Sequence, residues 1–332
     1  MVIRVGVVGV GNCASSLVQG VEYYRKDPGA AGLAAPECDG HLVSDVEFSA
    51  AFDVDEGKIG RDLSEAIYVA PNNSHRFADV PHLSVPVDEG VLADGVADSV
   101  AGRFTARGTA TVSRIADRLT ATGTRILVNL LPVGAQRATE TYAEAALLAG
   151  CGFVNCMPAT LARDPGWATR FADAGVPLVG DDLSSGFGAT VVHRAVLDAL
   201  AAGGVRLRQT FQLNHGGNMD FLTMQDPERL RTKQDSKSSG MHRGGSAAAT
   251  HVGAQYVPFL ADTKVAYIRV DAVGFGGTPV EVELKMSVED SPSAAGNVLD
   301  AIRRTAAAMD RRESGVLAEV SAAFMKAPGG RF

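Results

Sequence analysis

Cysteine is scarce in this chain. There are four in 332 residues, at Cys13, Cys38, Cys151 and Cys156, and no two form a C-x-x-C pair. No histidine–cysteine cluster accompanies them, so no metal centre is expected. The nearest approach to one is the Asp181–Asp182 pair, which with phosphate oxygens could take a hard cation. Cys151 and Cys156 lie in an apolar run and read as reduced core thiols. Long apolar runs are missing too. None reaches the ~18 residues of a membrane span, and no secretory leader precedes the first strand. The expectation is a soluble, cytoplasmic protein. Positive charge is in deficit, with 31 Lys and Arg against 38 Asp and Glu, a net charge of −7. That argues against nucleic acid or an anionic membrane as main partner, and leaves a local basic pocket open. There is no internal repeat.

What is present is an ordinary globular composition, 46% apolar and 21% charged, on a chain too long for one small core. Two domains, or one doubly wound domain with an insertion, fit the length. The most informative stretch is the first. An apolar run from Val5 to Val8 ends in Gly9-Val10-Gly11-Asn12-Cys13-Ala14. This is the G-x-G-x-x-A form of the dinucleotide fingerprint, on a strand and before a helix. One glycine allows the sharp turn, the second a close approach of a pyrophosphate, and the small third residue close helix–strand packing. The free N–H groups and positive dipole of the new helix favour phosphate. A plain glycine-rich turn is the alternative.

Helix 12–25 follows, then a loop at 26–44 rich in Gly, Pro and Ala. Val46–Phe52 reads as the second strand and ends at Asp53, where a carboxylate suits the ribose hydroxyls of NAD. Asp53 stands farther from Gly11 than the usual ~20 residues, which the loop explains if it is an insertion. It could instead cap a helix starting near Glu56. Residues 71–106 look irregular, with a polar cluster at Asn72, Asn73 and Ser74. A βα rhythm then returns: helices at 109–122, 136–149, 164–174 and 187–202, and strands at 125–131, 152–156 and 177–180. Alternation of this kind implies a parallel sheet, whose ligands sit at the carboxyl ends of the strands. That rule selects Asn129, Leu131, Gly134, Met157, Ala159, Thr160, Asp181 and Asp182. Ordinary turn chemistry is the competing reading for each.

Beyond residue 202 the period changes to two, in strands from 205, at 264–270 and at 280–288. Such alternation signals a sheet with one wet face. A polar, basic helical segment is expected at 222–240, a mobile loop at Ser246–Thr250, and helix again from 293 to 325. The expected fold is therefore α/β, a Rossmann-type doubly wound parallel sheet with an inserted α+β catalytic and oligomerisation domain. Its expected limits are 1–202, 203–292 and a helical segment 293–332 that returns to the first domain.

Three groups carry candidate chemistry. Asn214-His215-Gly216-Gly217-Asn218-Met219-Asp220 offers amides and a carboxylate suited to polyol hydroxyls, or an ordinary Asx-rich turn. Lys233 and Lys237, spaced i,i+4, share a helix face and make sense around an anion, or as a solvated face. Lys264 and Lys326 stand alone in apolar company, where a lysine can act as acid or base, or snorkel to water.

Taken in order, the glycine turn, Ala51-Phe52-Asp53-Val54-Asp55, Leu131-Pro132-Val133-Gly134, Gly180-Asp181-Asp182, Asn214 to Asp220, Lys233 with Ser236-Lys237, Lys264 with Ala266-Tyr267, Asp290-Ser291-Pro292 with Ala295-Gly296, and Met325-Lys326 resemble the short bacterial myo-inositol-1-phosphate synthases along nearly the whole chain. The resemblance implies an enzyme that retains NAD, oxidises C5 of glucose 6-phosphate, enolises C6, closes the ring onto C1 and reduces C5 again. It implies a homotetramer. It implies Lys233, Lys237, Lys264, Lys326, Asp181 and Asn214 as the catalytic set. It places the cofactor against Gly9, Gly11, Asn12, Cys13, Ala14, Asp53, Leu131, Pro132, Ala159, Asp181, Asp182 and Arg194, and the substrate against Asn218, Asp220, Ser184 and His215. The sequence departs from the family where D-D-x-K-S is expected, since Ser184 replaces the lysine. His215 stands where close relatives carry an apolar residue. A retuned substrate, fructose 6-phosphate closing to a cyclopentane, is one reading; drift within an inositol phosphate synthase is the other. Two further alternatives are a simple sugar dehydrogenase, against which the number of lysines argues, and an NAD-binding sensor.

Overall fold

A computed structural model describes residues 2–229 and 249–330. In chain order, β1 (Ile3–Val8) leads into α1 (Asn12–Lys26), a small hairpin of β2 (Glu37–Cys38) and β3 (His41–Leu42), β4 (Val46–Asp53), α2 (Leu63–Ala66) and β5 (Val87–Glu89). Then come α3 (Val112–Ala121), β6 (Ile126–Asn129), α4 (Gln136–Ala149), β7 (Gly152–Asn155), α5 (Pro165–Asp173), β8 (Pro177–Val179) and α6 (Ala189–Ala202). The remainder is β9 (Arg206–Gly216), α7 (Met219–Thr223), β10 (Ala249–Tyr256), β11 (Thr263–Val273), β12 (Pro279–Glu289), a long α8 (Asp290–Asp310), β13 (Gly315–Val316) and α9 (Ala318–Phe324).

Seven strands form one parallel sheet in the order β13-β8-β7-β6-β1-β4-β5. The order reverses between β1 and β6, and the crevice at that switch point is where such sheets hold ligands. Both faces are covered, as parallel strands require. Val5 and Val7, with Ile126 and Val128, pack under α1 and α8 through Leu17, Val21, Val298, Leu299 and Ile302. On the other face Val8, Leu127 and Phe153 meet Ile115, Leu119, Tyr142 and Phe171 of α3, α4 and α5. Local chemistry sets the helix limits. Thr111 and Asp164 accept from the backbone N–H of Arg114 and Trp167, Pro165 opens α5, and Gly150 ends α4 with φ +68°.

The 26–44 segment, expected as a loop, holds the β2–β3 hairpin and is pinned from below. The fully buried Arg303 of α8 donates to the carbonyls of Ala35, Pro36 and His41 and pairs with Asp300.

The second sheet has the order β10-β9-β11-β12, with β10 parallel to β9 and the other pairs antiparallel. Thr210, Gln212 and Asn214 share its buried face with Ala266, Ile268 and Val270, and α6 packs against β9. Several expectations are corrected here. Ala249 and Thr250 open β10 rather than a loop, because the neighbouring β9 supplies a ladder. The short strands β5 and β13 complete the edges of the parallel sheet, where four residues or fewer leave no readable period. The helix read over 222–240 begins instead as the short α7, and residues 230–248 lie outside the described residues. Asn214–Gly216 end a strand, and the turn falls at Gly217–Asn218. The last helical segment starts at Asp290, three residues before the expected 293. Among the described residues, no helix is long and apolar enough to cross a membrane.

Candidate active site

One cavity runs from the glycine turn to the open end of the four-stranded sheet. Its first wall is backbone. Gly9 has φ +85°, and a Cβ there would lie 2.8 Å from the Leu130 carbonyl oxygen, so only glycine fits. At Gly11 a Cβ would meet nothing within 4 Å, which leaves the turn open to the cavity. Helix α1 has no side-chain cap and no acidic residue in its first turn, so no side chain of the helix itself occupies its N-terminal N–H groups.

Asp53 closes this wall. Its carboxylate accepts from Val10 N at 2.6 Å and from Val54 N and Asp55 N. The buried Lys58 reaches the Val10 carbonyl at 2.9 Å and Asn72 Oδ1 at 3.0 Å, with Asp53 and Asp55 4.0 and 3.9 Å away. Asn72 also donates to Val10 O, and Asn73 and Asn12 exchange hydrogen bonds. The polar 72–74 cluster thus anchors the glycine turn. Asn129 accepts from Leu131 N and orients the Leu131–Pro132 edge of the cavity. A dinucleotide fits these features: an uncapped helix end, an open glycine, and a carboxylate fixed by backbone N–H groups at the end of the second strand.

The second wall is made of side chains from distant elements. Lys326 Nζ lies 3.2 Å from Asp182 Oδ1, and the segment around it is tied to the loop after β8 by Lys326 N to Asp182 O at 2.7 Å and Ala327 N to Asp181 O at 3.1 Å. Lys264, on β11, is ion-paired with Asp290, the first residue of α8. Beneath them sits Asp262, 1% exposed. Its Oδ1 accepts from Asn12 Nδ2, Asn218 Nδ2 and Ser291 Oγ, each at 2.9 Å, and its Oδ2 from Ser291 N at 3.2 Å. Burial, reinforced by Asp290, pushes its carboxyl above the ordinary value. This one carboxylate therefore ties the start of α1 to α7 and α8. Cys13, enclosed beside it, is pushed up to about 12 by burial and by Asp262, Asp290 and Asp220, so its thiol stays protonated.

The structure brings Gly9, Gly11, Asn12, Cys13, Ala14, Asp53, Leu131, Pro132, Asp182, Ser184, Asn214, Asn218, Asp220, Lys264 and Lys326 to the cavity. It does not bring Asp181, Ala159, Arg194 or His215 to its lining. Asp181 is fully buried, and its carboxylate is consumed by Asn155, Leu161 N, Ala162 N and Arg163. Its proximity in sequence to Asp182 concealed a purely internal role. His215 is next to Asn214 in a strand, so it faces the opposite side of the sheet, against the Tyr267 ring. Ala159 offers its carbonyl to Asn155. Lys233 and Lys237 lie outside the described residues. Sequence reasoning missed Lys58, Gln212, Asp262 and the part played by Asp290. The only signal for Lys58 was a lone lysine just past the carboxyl end of β4. For Asp262 it was an acid two residues before Lys264. Among the described residues, no three metal-ligating side chains converge.

A family model described as myo-inositol-1-phosphate synthase matches residues 188–291. The inositol-3-phosphate synthase of Mycolicibacterium smegmatis is 43% identical over 338 residues, covering 98% of this chain and 93% of the relative. This chain belongs to the myo-inositol-1-phosphate synthase family. Two solved structures share the whole architecture at a TM-score of 0.84: Ari2, 37% identical, and a myo-inositol-1-phosphate synthase-related protein from Thermotoga maritima, 28% identical. Each covers 99% of this chain, and 93% of either structure is covered in return. The stretch matched by the synthase family model runs from α6 through the second sheet to the top of α8. It carries Asn214, Asn218, Asp220, Lys264 and Asp290. The family model thus covers the Lys264 half of the side-chain wall, while Asp182 and Lys326 lie outside the matched residues.

Proposed function

We propose that this chain is an NAD-retaining cyclase that converts a hexose 6-phosphate, foremost glucose 6-phosphate, to an inositol phosphate. The observation that carries the reading is the convergence of two carboxylate-paired lysines, Lys264 with Asp290 and Lys326 with Asp182, on the cavity that opens at Gly11. Gly9, Gly11, the α1 N-terminus and Asp53 would hold NAD. When bound, NAD supplies the hydride acceptor for C5 and the donor that returns the hydride at the end. The lysine ammonium groups stabilise oxyanions that develop at C5, on the enolised carbon skeleton and at the attacked carbonyl. Each such contact is worth more in a water-poor site than in solution. Asp290 and Asp182 hold Lys264 and Lys326 in place by ion pairing. Asn214, Asn218 and Asp220 present amides and a carboxylate to the sugar hydroxyls. Lys233 and Lys237 serve the phosphate.

Ser184 favours a second reading. It lines the cavity where the family pattern has lysine, so the site has one cation fewer than that pattern. Fructose 6-phosphate, closing through C6 and C2 to a five-membered cyclitol phosphate, is the substrate such a change could admit. The reading also includes the domain limits 1–202, 203–292 and 293–332, a cytoplasmic location and a homotetramer. The half-buried apolar residues Val280, Val282, Leu284 and Met286 of β12 support self-association. Incubation with NAD and either hexose 6-phosphate, with the product ring read by NMR, tests the activity. One sugar should cyclise without net NADH. Stoichiometric NADH release would assign a dehydrogenase instead, and conversion of neither sugar would favour the sensor.

A further inference from the structure

Behind the cavity lining runs a buried polar chain with a carbonyl at each end. At one end Asn214 Nδ2 donates to Gly253 O at 3.1 Å. A carbonyl only accepts, so the Asn214 Oδ1 must face Gln212, whose Nε2 donates to it at 2.9 Å. That turns Gln212 Oε1 toward His193 Nδ1, 3.3 Å away. At the other end Thr210 Oγ1 spends its single proton on Arg269 O at 2.6 Å. Thr210 can therefore only accept from His193 Nε2, which lies 2.7 Å from it. Both ring nitrogens face acceptors. His193 is fully buried on α6, and Gln212 and Asn214 line the cavity.

We propose that His193 is a positioning residue that sets the sense of the Gln212 and Asn214 amides: the chain between the two carbonyls closes only when both ring nitrogens donate, and a neutral ring breaks it at Gln212. The break falls there because the Nε2 contact is the shorter of the two. Burial lowers the pKa of the imidazole and the Gln212 bond raises it; no charged group of the described residues contributes. Helix α6 carries the ring, and strand β9 presents both Thr210 and Gln212 to it. The neutral ring is thus the Nε2–H tautomer. Gln212 is then held on its Asn214 side alone, so its amide can turn and offer a sugar hydroxyl either a donor or an acceptor, while Asn214 stays fixed by Gly253. Protonation of His193 locks both. The effect on substrate rests on the reading of the cavity given above; the state of the ring does not.

The test uses the full-length, NAD-loaded protein with 15N-labelled histidine. There are seven histidines, and subtraction of a His193→Gln spectrum isolates the ring. Neutral His193 should carry its proton on Nε2. In Thr210→Val, which removes the competing acceptor, the proton should move to Nδ1 and face Gln212. Thr210→Ser keeps the hydroxyl and should match the wild type. A wild-type Nδ1–H ring, or no change of tautomer in a folded Thr210→Val, overturns the proposal. With hexose 6-phosphate as probe, KM should shift several-fold across the His193 titration in the wild type, kcat less, and the shift should vanish in Thr210→Val. A shift that persists in Thr210→Val removes the positioning role even where the tautomers are as stated. Failure of turnover alone leaves the ring measurement intact and counts against the activity.

Discussion

On the parallel-sheet side the cavity presents backbone: two glycines, an uncapped helix end, and one carboxylate fixed by three N–H groups. Opposite it the cavity presents side chains: Lys264, Asn214, Asn218 and Asp220 from the four-stranded side, and Lys326 with Asp182 from the loop after β8. Backbone recognition suits a ligand that is always the same, because it depends on turn geometry alone. Side-chain recognition suits the part of the reaction in which charge moves, since cations and amides can be changed one at a time. The difference also decides how each wall fails. A backbone wall is spoiled by filling it, a side-chain wall by emptying it.

The largest expected effect comes from emptying. Lys264→Ala should lower turnover by about 10²–10³, the range for loss of one oxyanion-stabilising group, while NAD stays bound. Cofactor fluorescence and product formation measured on one sample separate the two, and lost NAD binding would break the division between the walls. Next is filling. Gly11→Val should abolish NAD binding with little change in Tm, because its new side chain enters open space. Gly9→Ala meets the Leu130 carbonyl and a positive φ, and should cost about 1–2 kcal/mol in denaturant unfolding. Equal stability of the two variants would refute the geometry of the turn.

Asp262 belongs to both walls. Asp262→Ala strands three side-chain donors and should cost about 1–3 kcal/mol, with kcat and NAD affinity falling together. A loss confined to one of them would show that Asn12 is held by Asn73 alone. The smallest effect is a pH slope. A carboxyl held above its ordinary value binds its proton more tightly in the folded than in the unfolded chain. Its drag on stability is absent below pH 3.8 and grows as pH rises from there through the folded pKa. Asp262→Asn should remove that decline, and denaturation midpoints across the acid range would show it.

The backbone wall was legible in the sequence because its parts are contiguous. Gly9 to Ala14 announces strand, turn and helix within six residues, and the βα rhythm follows from apolar period. The members of the side-chain wall were each legible as candidates, but their convergence only through family resemblance, since Asp182, Asn218, Lys264 and Lys326 meet by strand register and chain crossing. Neighbours in sequence misled twice, once by the period of two in β9 and once in the irregular turn after β8. Asn214 and His215 point to opposite faces, and Asp181 turns inward while Asp182 meets Lys326. Strand β10 was hidden because its edge is defined by a partner rather than by its own pattern. Asp262 and His193 were invisible for a further reason: each acts through neighbours far away in the chain, and no local motif encodes that.

Lys326 owes its place to a short backbone ladder between residues 324–329 and 180–184, anchored in the core of the parallel sheet by Leu183, Phe324 and Met325. Peeling that ladder would remove a cation from the site and leave both sheets standing. The ladder past Met325 has no such anchor, so local opening at residues 326–329 is a route by which activity should be lost before secondary structure on warming.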